Sequence, residues 1–153
     1  MTQQSLPTRL FQLIAAAAAL LAGDSAFAEP SVPIAAKLVR VDRIWSEAPH
    51  SAFTDLVWWH DRFYCAFREG QNHVGSQGNL RIISSPDGAK WESMATLEDP
   101  VYDLRDANLS IMPDGRLMAV GGAQIVAGKE RRTGTFASYS SDGSTWTKPE
   151  LIL

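Results

Sequence analysis

Ser84-Ser85-Pro86-Asp87-Gly88-Ala89-Lys90-Trp91 and Tyr139-Ser140-Ser141-Asp142-Gly143-Ser144-Thr145-Trp146 carry one pattern, S-x-D-G-x-x-W, twice in a chain of 153 residues. Asp-Gly is turn chemistry: the carboxylate accepts N–H groups of its own turn, and glycine tolerates the positive φ that follows. The serine adds a local side-chain bond, and the tryptophan is large enough to fill a gap beside a packed neighbour. Upstream of each copy lies a second matching stretch. Residues 56–69 read LVWWHDRFYCAFRE and residues 109–123 read LSIMPDGRLMAVGGA, with Gly115 the one extra residue. Both run from an apolar stretch through an Asp-containing turn and an arginine into another apolar stretch. Leu56 and Leu109, Arg62 and Arg116, and Ser85 and Ser140 stand 53, 54 and 55 residues apart, so the chain is an internal repeat.

Each copy breaks into four short runs rich in β-branched and aromatic residues: 53–59, 62–68, 79–84 and 92–97, then 107–112, 116–122, 135–139 and 148–153. Asp-Gly and Pro-Asp-Gly turns separate them. No stretch beyond residue 28 has helical periodicity. The chain is expected to be all-β, with two four-stranded antiparallel β-propeller blades at about 53–97 and 107–153. Closing a propeller takes at least about four blades, so the chain reads as the N-terminal part of an incomplete propeller. The open flanks invite self-association.

Residues 1–28 have the pattern of a secretory signal: Arg9, an apolar run at 10–23, and Ala26-Phe27-Ala28 as the cleavage site. Residues 29–48 form a Pro-containing lead-in to the repeats at 49–153. The protein is expected to be exported, periplasmic or secreted, with no stable membrane anchor once the signal is removed. A composition of 45% hydrophobic and 20% charged residues is that of a globular chain. The formal charge of −3 gives no basic field, so nucleic acid is not an expected partner. The single cysteine, Cys65, excludes an intrachain disulfide and reads as a small core residue. No His/Cys cluster or calcium loop is present, and no metal or cofactor is expected.

The two S-x-D-G-x-x-W copies, the segment Phe67-Arg68-Glu69-Gly70 and the hairpin Asp114-Gly115-Arg116-Leu117 resemble the sialidase-like superfamily, whose blades carry Asp-box (BNR) repeats. The likeness covers about 52–153. It implies a six-bladed propeller, often a glycoside hydrolase acting on terminal sialic acid. It also implies that Ser85, Asp87, Gly88 and Trp91, with Ser140, Asp142, Gly143 and Trp146, are structural turn residues. Both boxes are one residue shorter than the fuller family form, and Lys90 replaces the usual threonine. The stretch 50–55 lacks an arginine where the family's first triad member sits, and the loop 71–79 lacks an acid/base aspartate.

In an up-and-down blade the boxes mark one rim, while the second-to-third-strand loops and the first-strand starts gather on the other. That opposite rim collects His50, Thr54, Asp55, Arg68, Glu69, His73, Asp103, Arg105, Asp106 and Gln124. Such a set suits an anionic or polyhydroxylated sugar. Arg68, Glu69, His73 and Arg105 are the expected substrate-binding residues, and Asp106 or Asp55 the expected acid/base. Each has a plainer reading: Arg68 with Glu69 as a pair holding a loop, Arg105 with Asp106 as a structural ion pair, and His73 as a loop hydrogen-bonder. The tip 129–132 (KERR) reads most simply as solvated. The leading expectation is an exported sialidase-like propeller protein, a glycosidase of glycan metabolism if completed by further blades. The alternative is a non-catalytic propeller that binds a glycan or a protein.

Overall fold

The computed structural model describes residues 36–125 and 133–152, so the signal pattern and the 129–132 tip lie outside the described residues. The chain divides into Met1–Arg40, whose described residues 36–40 carry no strand, and Val41–Leu153, which holds all the regular structure described below. Eight strands follow in order: β1 (His50–Trp59), β2 (Arg62–Gly70), β3 (Gly78–Ser85), β4 (Glu92–Leu97), β5 (Tyr102–Ile111), β6 (Leu117–Ile125), β7 (Thr133–Ser140) and β8 (Glu150–Ile152). They form two four-stranded sheets, β1-β2-β3-β4 and β5-β6-β7-β8, in which every neighbouring pair is antiparallel. Among the described residues there is no helix.

The expected runs match these strands, with instructive differences at the ends. β1 and β5 start before the expected 53 and 107, because each continues through a β-bulge. Register shifts fall between Ala52 and Asp55 in one and between Arg105 and Asn108 in the other. A bulge breaks the alternation of side chains that marks a strand in sequence. β8 is shorter than expected, because Pro149 has no N–H to give the ladder.

The turns differ by the one glycine that the sequences differ by. His60 and Asp61 both have positive φ, 48° and 58°, the backbone of a two-residue primed hairpin. The second hairpin is longer: Gly115 sits at φ 85° and its N–H reaches the Met112 carbonyl at 2.9 Å.

The two sheets share one core. Trp59, Tyr64, Ala66, Leu80, Ile82 and Leu97 of the first meet Leu104, Ala107, Leu109, Leu117, Ala119 and Phe136 of the second. Alternation decides which of two adjacent tryptophans enters it: Trp59 is buried, and Trp58 is exposed. The Trp59 indole N–H also donates to the Gly115 carbonyl at 2.9 Å, tying the first sheet to the second hairpin. A smaller cluster of Cys65, Phe67 and Ile83, covered in part by Trp45 and Trp91, lies on the other face of the first sheet. β2 is therefore buried on both faces.

The two Asp-Gly turns, β3 to β4 and β7 to β8, are near copies in space. Ser85 Oγ accepts the Gly88 N–H at 2.8 Å and donates to Asp87 Oδ1 at 3.1 Å, and Ser140 does the same with Gly143 and Asp142. Asp87 Oδ1 accepts N–H groups of Ala89 and Lys90; Asp142 Oδ1 accepts those of Ser144 and Thr145. Trp91 and Trp146 donate to the Gly88 and Gly143 carbonyls, each at 3.1 Å. One difference stands out. A Cβ on Gly143 would overlap the Tyr64 ring of the first sheet, whereas one on Gly88 would meet only Phe63, at 3.7 Å.

Candidate functional site

At the rim opposite those turns, the bulges of β1 and β5 place Phe53 and Asp106 at equivalent positions in the left-handed region, φ 60° and 56°. Neither is glycine, so the backbone there is held by its surroundings. Gly121 faces the second bulge across the ladder, and a Cβ on it would overlap the Arg105 carbonyl oxygen. Beside the bulges opens a cleft of about 400 Å³ lined by Phe53, Arg105, Asp106, Gly122, Gln124 and Thr133 among others.

Arg105 is the central charge. Its guanidinium carbon lies 5.2 Å from the centre of the Phe53 ring, a cation–π contact. Nη1 donates to Gln124 Oε1 at 3.1 Å, and Nη2 reaches the His73 carbonyl at 3.5 Å. Two carboxylates flank it, Asp103 and Asp106, each at 3.6 Å. Asp103 is buried, while the Asp106 side chain is 55% exposed at the cleft. The His73 ring packs against Phe53 at 5.3 Å and edge-on to His50 at 5.2 Å. The structure thus brings Arg105, Asp106 and His73 together.

Arg68 stands behind this group rather than in it. Its side chain is fully buried and each of its three nitrogens has a partner: Nε donates to Asp103 Oδ1 at 2.7 Å, Nη1 to the Asn72 carbonyl at 2.9 Å and Nη2 to the Ser76 carbonyl at 3.0 Å. It fastens the β2–β3 loop that carries His73. Asp103 offers its other oxygen to Arg105, so one carboxylate serves two arginines. The cross-strand pair Gly70 and Gly78 leaves room for the guanidinium. A Cβ on Gly78 would overlap both Arg68 and Asp103.

Glu69, next in sequence, points to the opposite face. It accepts the Trp45 indole N–H at 2.6 Å and pairs with Arg81 at 2.8 Å. Arg68 and Glu69 are therefore not partners of each other; each holds a different part of the fold. Asp55 also lies outside the cleft lining. Its Oδ2 accepts the Leu109 N–H at 2.7 Å, which joins β1 to β5. The nearby Cys65 thiol is pushed up to about 11, first by burial and then by the Asp55 charge, so it stays protonated at neutral pH.

Phe53 is the cleft residue that composition and rim placement did not single out. Its signal was the repeat itself, because it stands 53 residues before Asp106. Among the described residues no group of three or more His, Cys, Asp or Glu could hold a metal ion. Compared with known proteins, the chain matches no family model and no curated protein.

Proposed function

We propose that the cleft at Arg105 binds an anionic or polyhydroxylated sugar, in an exported protein whose two sheets are blades of a sialidase-like propeller. The observation that carries this reading is Arg105 itself. It is held on the Phe53 ring and braced by Gln124 and the His73 carbonyl, yet its carboxylate neighbours stand at 3.6 Å rather than in close ion pairs. A carboxylate or a pair of hydroxyls entering the cleft can take up such donors. Asp106, exposed at the same mouth, is the group placed to exchange a proton with a bound glycoside. Export rests on the sequence pattern at residues 1–28, and the blades on the repeat and its paired turns.

Glycoside hydrolysis is the activity expected of this reading, and one observation favours binding without turnover. Asp106 is the only carboxylate among the described residues lining the cleft, because Asp103 is buried behind Arg105 and Asp55 is held at the sheet seam. Two-carboxylate chemistry is thus not assembled there. The test is a glycan array followed by titration of the best ligand, with aryl glycosides, sialosides included, as turnover probes. Arg105→Ala is expected to weaken binding about 10- to 100-fold, the equivalent of one charge-assisted bond. Asp106→Asn is expected to abolish any turnover and leave binding in place. Binding unchanged in Arg105→Ala overturns the assignment.

A further inference from the structure

We propose that the group which settles on Arg105 is uncharged: a neutral sugar offering two adjacent hydroxyls, with the guanidinium donating to one and Asp106 accepting from the other. This narrows the sugar reading of the cleft and rests on it. What decides between an anion and a neutral diol is the company Arg105 already keeps.

Two carboxylates stand at 3.6 Å from its guanidinium, Asp103 Oδ2 at Nη1 and Asp106 Oδ2 at Nε. Asp103 also pairs with Arg68 at 2.7 Å, so these two arginines and two aspartates balance one another. The Asp106 side chain is exposed and lines the same cleft as Arg105, which is itself largely buried. A carboxylate arriving there becomes a third anion on one cation. It also meets Asp106 at short range in a partly desolvated cleft, where like charges repel more than in open water. A hydroxyl both donates and accepts. Two neighbouring hydroxyls can therefore satisfy the arginine and the aspartate together, and no charge is added.

The backbone fixes this arrangement. Asp106 sits in the β5 bulge at φ 56°, and its carbonyl accepts the Asn108 side-chain N–H at 3.0 Å. Among the described residues four that are not glycine have positive φ. His60 and Asp61 belong to a hairpin, and the other two, Phe53 and Asp106, both line this cleft. Glycine and asparagine suit such a backbone at least as well as aspartate. What aspartate adds is its charge. Strain retained in this way is typical of sites that present a group rigidly. Gln124 turns its amide oxygen to Arg105, which leaves its NH2 as a further donor to a hydroxyl.

Titration calorimetry on the full chain with matched methyl glycosides tests this. Galactoside is set against galacturonide, glucoside against glucuronide and mannoside against mannuronide, each pair differing only by a hydroxymethyl group or a carboxylate. In at least one pair the wild type is expected to bind the neutral sugar about 10-fold more tightly than its uronide. That affinity should stay level as NaCl is raised, because no ion pair with the ligand is being screened. Asp106→Asn removes the charge and keeps an acceptor. It is expected to leave the neutral sugar bound and to tighten the uronide until the gap closes; circular dichroism checks its fold. Among monodeoxy forms of the tightest sugar, the two that bind worst should lack neighbouring hydroxyls. A wild type that prefers the uronide, binds both alike or binds none of the neutral sugars overturns the proposal. So does an Asp106→Asn variant with the wild-type preference, or a loss shared by hydroxyls that are not neighbours. Arg105→Ala keeps two failures apart. Uronide binding that this variant loses retains the cleft and sinks the neutral ligand, whereas binding that it leaves unchanged sinks the cleft assignment itself.

Discussion

Arg68 and Asp103 show how much one buried ion pair can organise. Both are nearly solvent-free, and they join a loop, two sheets and the guanidinium of Arg105. Removing one member leaves a buried charge without its partner. Arg68→Met is expected to cost on the order of 3–5 kcal/mol in urea unfolding, and Arg68→Met with Asp103→Leu much less. Equal losses in the single and double variants would show that the charge pairing is not what matters. Sequence reading placed both residues on the correct rim but could not join them. The partners are 35 residues apart, and an arginine with no exposed surface is legible only once its glycine-lined niche exists. Glu69 was equally hidden, since its partners Trp45 and Arg81 come from the lead-in and from β3.

Among the elements, the Asp-Gly turns were readable because their chemistry is local: the bonds made by the motif's Ser, Asp and Trp side chains span at most three residues. The bulges were not, because a bulge is defined by register against the neighbouring strand, and the sequence shows it only as broken alternation. The turns also set a pH response. Backbone N–H groups of Thr145 and Ser144 hold the Asp142 carboxyl well below its ordinary value of 3.8, and those of Lys90 and Ala89 lower that of Asp87. A carboxyl depressed in the folded state stabilises it above the unfolded pKa, and that contribution is lost as pH falls through the folded value. Stability is therefore expected to decline as pH drops below about 3.8. Asp87→Asn/Asp142→Asn should have a lower Tm at neutral pH and a shallower decline in acid. Parallel Tm curves for the two proteins would remove the turns from the acid response.

Across the whole molecule, the shared core makes the sheets one folding unit. Trp59 reaches the Gly115 carbonyl, Asp55 holds the Leu109 N–H, and thirteen buried residues from both sheets form one cluster. Tryptophan fluorescence and circular dichroism are expected to trace a single urea transition. Trp59→Phe loses the bond and leaves a cavity where the rest of the buried indole packed, so it should lower stability by at least about 1 kcal/mol without splitting that transition. Two separate transitions would mean that the sheets fold independently. The all-β class and the two-sheet division were legible because the repeat prints each strand twice. The way one sheet seats on the other was not, because it depends on which equivalent residues find a neighbour. That dependence reaches the motif itself. Gly88 and Gly143 spell the same letter in the same word, yet only Gly143 lies against Tyr64. The first copy can drift toward asparagine at the cost of backbone strain alone, while the second is frozen by its neighbour, so duplicated words in a chain need not age at the same rate.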